Sequence, residues 1–254
     1  KLTLQEALAL FMSARLVARH SDERNMNVES AFDKLACVLP APIAEHVRET
    51  VAEIAARRED ERFTRVLDIL VTGWAERRTV RIWHEWTSAD GTYSKVYERE
   101  LDPYFIEPSD IGRSCYVIGH DHYSGEVRVF KIERIQQIEM TSDEYAIPEG
   151  WSARKFLRSS WGIAQGDVVE VKIRFSPKVA RRLRESIWHP SQQLVDEPDG
   201  SVVLTVTVAG TLEITPWICS WGDDAEVLAP AQLRDDLHWI AERMATTYAT
   251  DPAP

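Results

Sequence analysis

The sequence predicts an α+β chain in three folded parts. Through residues 1–77, apolar residues recur at helical spacing with only short polar breaks, so this stretch is read as a helical region. Residues 78–142 hold four or five short strands divided by turn residues, the pattern of a small antiparallel β-barrel. After a connector at 143–166, residues 167–254 run strand, helix, strand, strand, helix, strand and a closing helix. That order is the one expected of a ferredoxin-like α/β sandwich.

The helical region opens on Thr3 and Glu6, spaced as a capping box. Leu4, Ala7, Leu8, Leu10, Phe11 and Leu16 then mark a first helix to about Arg19. The polar run HSDERNMN reads as a loop. A second helix is expected from Val28 to Val38, stopped near Pro40 and Pro42. A third runs from Ile43 to Arg57 and a fourth from Glu61 to Arg77. Four amphipathic helices are more than one small barrel needs as a cover, so this region is expected to support a homodimer.

In the second part RTVRIWHEW is a strand, Ala89 to Gly91 a hairpin turn, and TYSKVYERELDPYFIEP a strand running through Pro103. Cys115 to Gly119 is a buried-strand pattern, and Asp121 to Gly125 is rich in turn formers. From Val127 the strand pattern resumes. Arg128, Phe130, Ile132 and Arg134 fall at period two, so a continuous strand would put all four on one face. The connector carries a short basic helix with Arg154, Lys155 and Arg158.

The third part begins with the half-buried strand Val168 to Phe175 and a helix from Pro177 to Trp188. Gln193 to Asp196 pairs with Val202 to Ala209 across the turn Pro198–Gly200. Leu212 to Ser220 is a helix, Ala225 to Leu228 a strand and Pro230 to Tyr248 a helix.

The net charge of −11 argues against a generally basic nucleic-acid binder; any such site must be a local basic patch. No apolar run reaches the ~18 residues that cross a bilayer. No secretory signal opens the chain, and three scattered cysteines fit a reduced, cytoplasmic protein. No P-loop, GxSxG or HExxH supports an enzyme, and no cofactor is implied.

Arg128 and Arg134 are the strongest binding candidates, because a guanidinium fork suits phosphate. The alternative is ordinary surface ion pairing with Glu133 or Glu139. Tyr116 and Trp86 are candidate stacking platforms or else core aromatics. Lys95 and Arg99 would add charge to the same pocket. His120, Asp121 and His122 invite a metal reading, yet no third ligand sits at a recognisable spacing, so no metal is expected and His120 is read as a polar contact. Lys172 and Arg174, with Arg181, Arg182 and Arg184, form a second basic cluster or a solvated face. The two clusters and the basic connector would give a strand of several nucleotides a charged track.

These blocks, in this order, resemble the WYL-domain transcriptional regulators of bacteria. SCYVIGHDHYSGEVRVFKIERI (114–135) falls on the family signature. Cys115, Tyr116 and Val117 occupy its Trp-Tyr-Leu triplet, so only the Tyr is retained, while the Asp and paired arginines match better. RIWHEW and RELDP look like the upstream strand and Arg-x-x-x-Pro element. VVEVKIRFSP, WHPSQQL and WGDDAEVLAP look like the family's C-terminal extension. The resemblance covers about Leu67 to Tyr248. It implies a barrel of the Sm-like type and a ligand-sensing role. The implied effector is a nucleic acid, with single-stranded DNA preferred, that allosterically controls promoter-DNA binding by an N-terminal helix-turn-helix. The chain begins at Lys1 and no stretch resembles that head, so it is read as a regulator without it. A small nucleotide or anion at the same arginines, or a structural dimerisation module without ligand, are the alternatives.

Overall fold

A computed structural model describes residues 3–20, 23–88, 91–109 and 114–249. The chain forms two compact units, one ending at Gly150 and one beginning at Trp151.

The first unit starts with α1 (Leu4–His20), the two-residue strand β1 (Glu23–Arg24), α2 (Met26–Ala36) and α3 (Ala41–Ala55). The capping box forms: Thr3 N–H donates to Glu6 Oε2 at 2.7 Å, and Glu6 N–H donates to Thr3 Oγ1 at 3.2 Å. α2 starts earlier than the apolar pattern suggests, because the Asn25 side chain caps the N–H groups of Asn27 and Val28. Pro42 does not end a helix but sits in the first turn of α3, where its missing N–H costs nothing. Phe11, Phe32, Val47 and Ile54 fill the core between these helices. Leu4, Leu8, Met12 and Leu16 stay exposed, a stripe at four-residue spacing along α1. β1 pairs in parallel with β2 (Arg58–Glu59).

α4 (Glu61–Glu76) is capped by Asp60, whose carboxylate accepts from Phe63 N–H at 2.9 Å. Its Val66 and Leu70 pack on a five-stranded antiparallel sheet. The strands are β3 (Arg78–Thr87), β4 (Ser94–Ser109), β5 (Ser114–Asp121), β6 (Glu126–Lys131) and β7 (Ile135–Glu144), in the order β6-β5-β4-β3-β7. β4 is the corner: its first half pairs with β3, its second half with β5, and the register shifts between Pro103 and Phe105. The sheet curls. The rings of His84 on β3 and Phe130 on β6 lie 5.3 Å apart although β4 and β5 separate their strands; in a flat sheet that separation would be about 14 Å. Among the described residues no ladder joins β6 to β7, so the expected barrel is a curled sheet and not one closed by hydrogen bonds. In the β3–β4 hairpin Gly91 has φ 71°, while Ala89 and Asp90 lie outside the described residues.

The second unit contains α5 (Ala153–Phe156), β8 (Val168–Phe175), α6 (Pro177–Arg184), β9 (Gln193–Asp196), β10 (Val202–Ala209), α7 (Ile214–Cys219), β11 (Ala225–Ala229) and α8 (Ala231–Ala249). Its antiparallel sheet has the order β11-β8-β10-β9, the arrangement the ferredoxin-like reading requires. One face of β8 buries Val171, Ile173 and Phe175 against Ala180 and Leu183 of α6 and Ile214 and Ile218 of α7. Trp188, Trp217 and Trp221 close the same core. The Glu213 carboxylate accepts the N–H groups of Gly162, Ile163 and Ala164 and so ties the end of the connector to this unit.

Candidate functional site

Residue register on the curled sheet sorts the predicted site residues onto two faces. Directly paired residues of antiparallel strands point to the same side. Ile82 pairs with Arg99, His84 with Tyr97 and Trp86 with Lys95. Leu101, two residues on from Arg99, pairs with Asp121, and Gly119 pairs with Arg128. Trp86, Lys95, Tyr97, Arg99 and Arg128 therefore share one face, above a floor of His84, Val117 and Phe130.

On that face cations and rings alternate. Lys95 Nζ lies 4.9 Å from the Tyr97 ring centroid. The Arg99 guanidinium lies 5.1 Å from the same ring and 4.2 Å from that of Tyr123. Tyr123 is 79% exposed and Trp86 48%, so both present ring surface to solvent. Such contacts hold long cationic side chains in fixed geometry at little cost in charge availability. Among the described residues Arg99 has one ion-pairing acid, Asp121, at 4.0 Å. Arg128 is held by Ser124 Oγ at 3.1 Å and by the exposed Glu126 at 3.5 Å. For Lys95 and Arg134 no ion pair is formed among the described residues.

His84 reports the local field. Burial is the main reason its pKa falls to about 4, and the charges of Arg134 and Arg99 push it the same way; a hydrogen bond to the Lys131 backbone opposes them. Its Nε2 is buried with no hydrogen-bond partner among the described residues. Lys95, Arg99, Arg128 and Arg134 thus gather cations around His84 on a chain of net charge −11.

Several sequence expectations change. Arg134 does not continue the Arg128–Phe130 strand face: β6 stops at Lys131 and Ile132–Arg134 form one 3₁₀ turn, which carries Arg134 to the rim beside His84. Tyr116 and His120 lie on the opposite face, because Tyr116 pairs with Lys131 and Glu107, and His120 with Val127 and Asp102. His120 and His122 do have a third ligand-type neighbour. Asp102 comes from β4 through the strand register, which no local spacing reveals.

The second basic cluster is dispersed and acid-paired. Lys172 and Arg174 point away from the face of β8 that α6 covers. Lys172 lies 3.1 Å from Glu170, and Arg174 3.0 Å from Glu197 and 3.7 Å from Glu226. On α6, Arg181 pairs with Glu185, Arg184 with Asp196, and Arg182 stacks on Trp221.

Sequence reasoning missed Tyr97, Tyr123 and His84. The period-two run Lys95-x-Tyr97-x-Arg99 was a usable signal for Tyr97, and Ile82-x-His84-x-Trp86 for His84. Tyr123 lies beyond the end of β5 in a turn, where no periodicity applies.

Among the described residues no helix is long and apolar enough to cross a membrane. No curated protein matches the chain significantly. Among solved structures, the chain is similar to the proteasome accessory factor B/C (PafBC) of Arthrobacter aurescens, at 21% identity and a TM-score of 0.33, over 74% of this chain and 28% of that one. It is also similar to a CRISPR Cas-related protein, at 13% identity and a TM-score of 0.49, over 85% of this chain and 61% of that one. The chain thus spans less than two thirds of either protein. The WCX domain family matches residues 167–245, the ferredoxin-like unit. The WYL domain family matches residues 65–140, from within α4 through most of the curled sheet. With its signature strands, the ordered pair of domains and more than half its length so matched, the chain belongs to the WYL-domain regulators.

Proposed function

We propose that this chain is the ligand-sensing part of a transcription factor. Its effector is a nucleic acid, with single-stranded DNA preferred, bound on the face of Trp86, Lys95, Tyr97, Arg99, Tyr123 and Arg128, with Arg134 at its rim. The carrying observation is the ladder in which Arg99 lies between the rings of Tyr97 and Tyr123 beside Lys95, which forms no ion pair among the described residues. Alternating rings and cations suit a strand whose bases stack while its phosphates meet charge. An effector that prefers one conformation of the whole regulator then shifts promoter binding by a helix-turn-helix of the longer protein. The exposed apolar stripe of α1 supports self-association of that regulator as a homodimer.

The test is fluorescence anisotropy with labelled single-stranded DNA, RNA and duplex. Arg99→Ala and Tyr123→Ala are each expected to weaken single-stranded DNA binding by about 1–3 kcal/mol, the scale of one charge-assisted contact or one stacked base. Unchanged affinity in both variants, with normal melting, refutes the site. Equal affinity for a mononucleotide and an oligonucleotide refutes the polymer effector and points to a small nucleotide.

A further inference from the structure

The sequence HDHY at 120–123 serves two faces at once. Asp121 and Tyr123 meet Arg99 on the ladder face. His120 lies on the opposite face with Asp102, and His122 reaches Asp102 from the turn. There His122 Nε2 is 2.8 Å from Asp102 Oδ1, and His120 Nδ1 is 3.6 Å from Asp102 Oδ2. The Asp102 residue is only 7% exposed. A buried carboxylate needs a compensating charge, yet among the described residues the two imidazoles are its only ion-pairing neighbours.

We propose that Asp102, His120 and His122 bind a divalent transition-metal ion of the zinc class. Their candidate ligand atoms all lie within 4.8 Å of one another. Tetrahedral ligands at about 2.0–2.2 Å from one ion stand roughly 3.3–3.6 Å apart, so a swing of about 1–1.5 Å closes the set. His122 supplies that swing, since it is exposed at the strand end. Two nitrogens and one oxygen suit zinc, copper or nickel better than calcium or magnesium. The surroundings fit as well. Thr79 Oγ1 donates to Asp102 Oδ1 at 2.6 Å and fixes the carboxylate, and Glu100 Oε2 stands 3.8 Å from the far nitrogen of His122, a short side-chain shift from the hydrogen bond by which a carboxylate orients a metal-binding imidazole. Arg81 in turn holds Glu100 at 2.8 Å. Three protein ligands leave positions open for water or another donor.

The experiment is calorimetric titration of the chelator-treated chain with zinc chloride, paired with cobalt(II) absorption. The expected result is one zinc per chain, and cobalt bands of nitrogen and oxygen ligation without thiolate charge transfer. His122→Ala, an exposed substitution that should fold normally, and the pair His120→Ala with His122→Ala should each weaken binding at least ~10-fold and abolish the rise in melting temperature that zinc gives the native chain. Glu100→Gln should weaken it more modestly. Uptake of zinc with unchanged affinity by the folded double variant overturns the proposal, as does no uptake by the native chain or a thiolate signature in cobalt. None of these outcomes bears on single-stranded DNA binding at the ladder, which is tested on the other face.

Discussion

At the scale of single residues, His84 carries the clearest physical signature. Its ring packs edge-on against Phe130 inside the curled sheet, and the pKa near 4 means that the folded state refuses a proton the unfolded chain accepts near 6.5. The sign follows: above the unfolded value nothing is lost, and stability then falls as pH drops from about 6.5 to about 4, with no further loss from this group below that. The full shift would correspond to about 3 kcal/mol, reduced by whatever solvent still reaches the ring. His84→Leu should therefore lose less stability than the native chain between pH 6.5 and pH 4, measured by urea midpoints. Equal losses would show that His84 is not a source of the acid lability. At Cys115, the triplet position where the family has Trp, burial and the nearby Glu133 push the thiol up to about 11, so that residue is a packing group rather than a nucleophile.

At the scale of elements, the decisive join is where β4 bends past β5. A Cβ on Gly119 would sit 2.3 Å from the Asp102 carbonyl oxygen and 2.8 Å from a Leu101 methyl, so only glycine lets the two strands approach there. Gly119→Ala is expected to destabilise by about 1–3 kcal/mol or more, because the clash is with backbone and cannot be relieved by a rotamer change. A melting temperature within a degree or two of the native value would contradict that account. This join also marks where the sequence stopped being readable. β8 was legible to the residue because Val168–Phe175 alternates on a half-buried strand, and the capping box at Thr3 announced α1. The shift at Pro103–Phe105 and the 3₁₀ turn at Ile132–Arg134 have no periodic signal, since each is a tertiary fit of one strand to its neighbour. A period-two reading carried across such a turn put Arg134 on a strand face it does not share. The same limit hid Asp102 from His120 and His122: residues paired across two strands are brought together by register, not by spacing.

At the scale of the whole molecule, charge separates a site from a charged surface. The chain carries a net charge of −11, so a phosphate backbone is repelled except where cations exceed nearby acids. The cations on β8 fail that condition: Lys172 pairs with Glu170, and Arg174 with Glu197 and with Glu226, which Arg234 also holds, so acids match cations there. The ladder meets it: among the described residues Lys95 and Arg134 form no ion pair, and Arg99 and Arg128 are only loosely engaged. Each phosphate neutralised on a single strand adds about 0.7 to the slope of log affinity against log salt, so four ladder cations would give a slope near ~3. Removing two of them in the variant Lys95→Gln with Arg134→Gln should lower the slope by about 1.4. Lys172→Gln with Arg174→Gln should leave the slope where it was, because those cations have no charge to spare. Salt titrations of oligonucleotide binding from low to physiological ionic strength decide it. An unchanged slope in the ladder variant, or an equal fall in the β8 variant, would mean that the strand does not follow the Lys95–Arg99 face and its Arg134 rim.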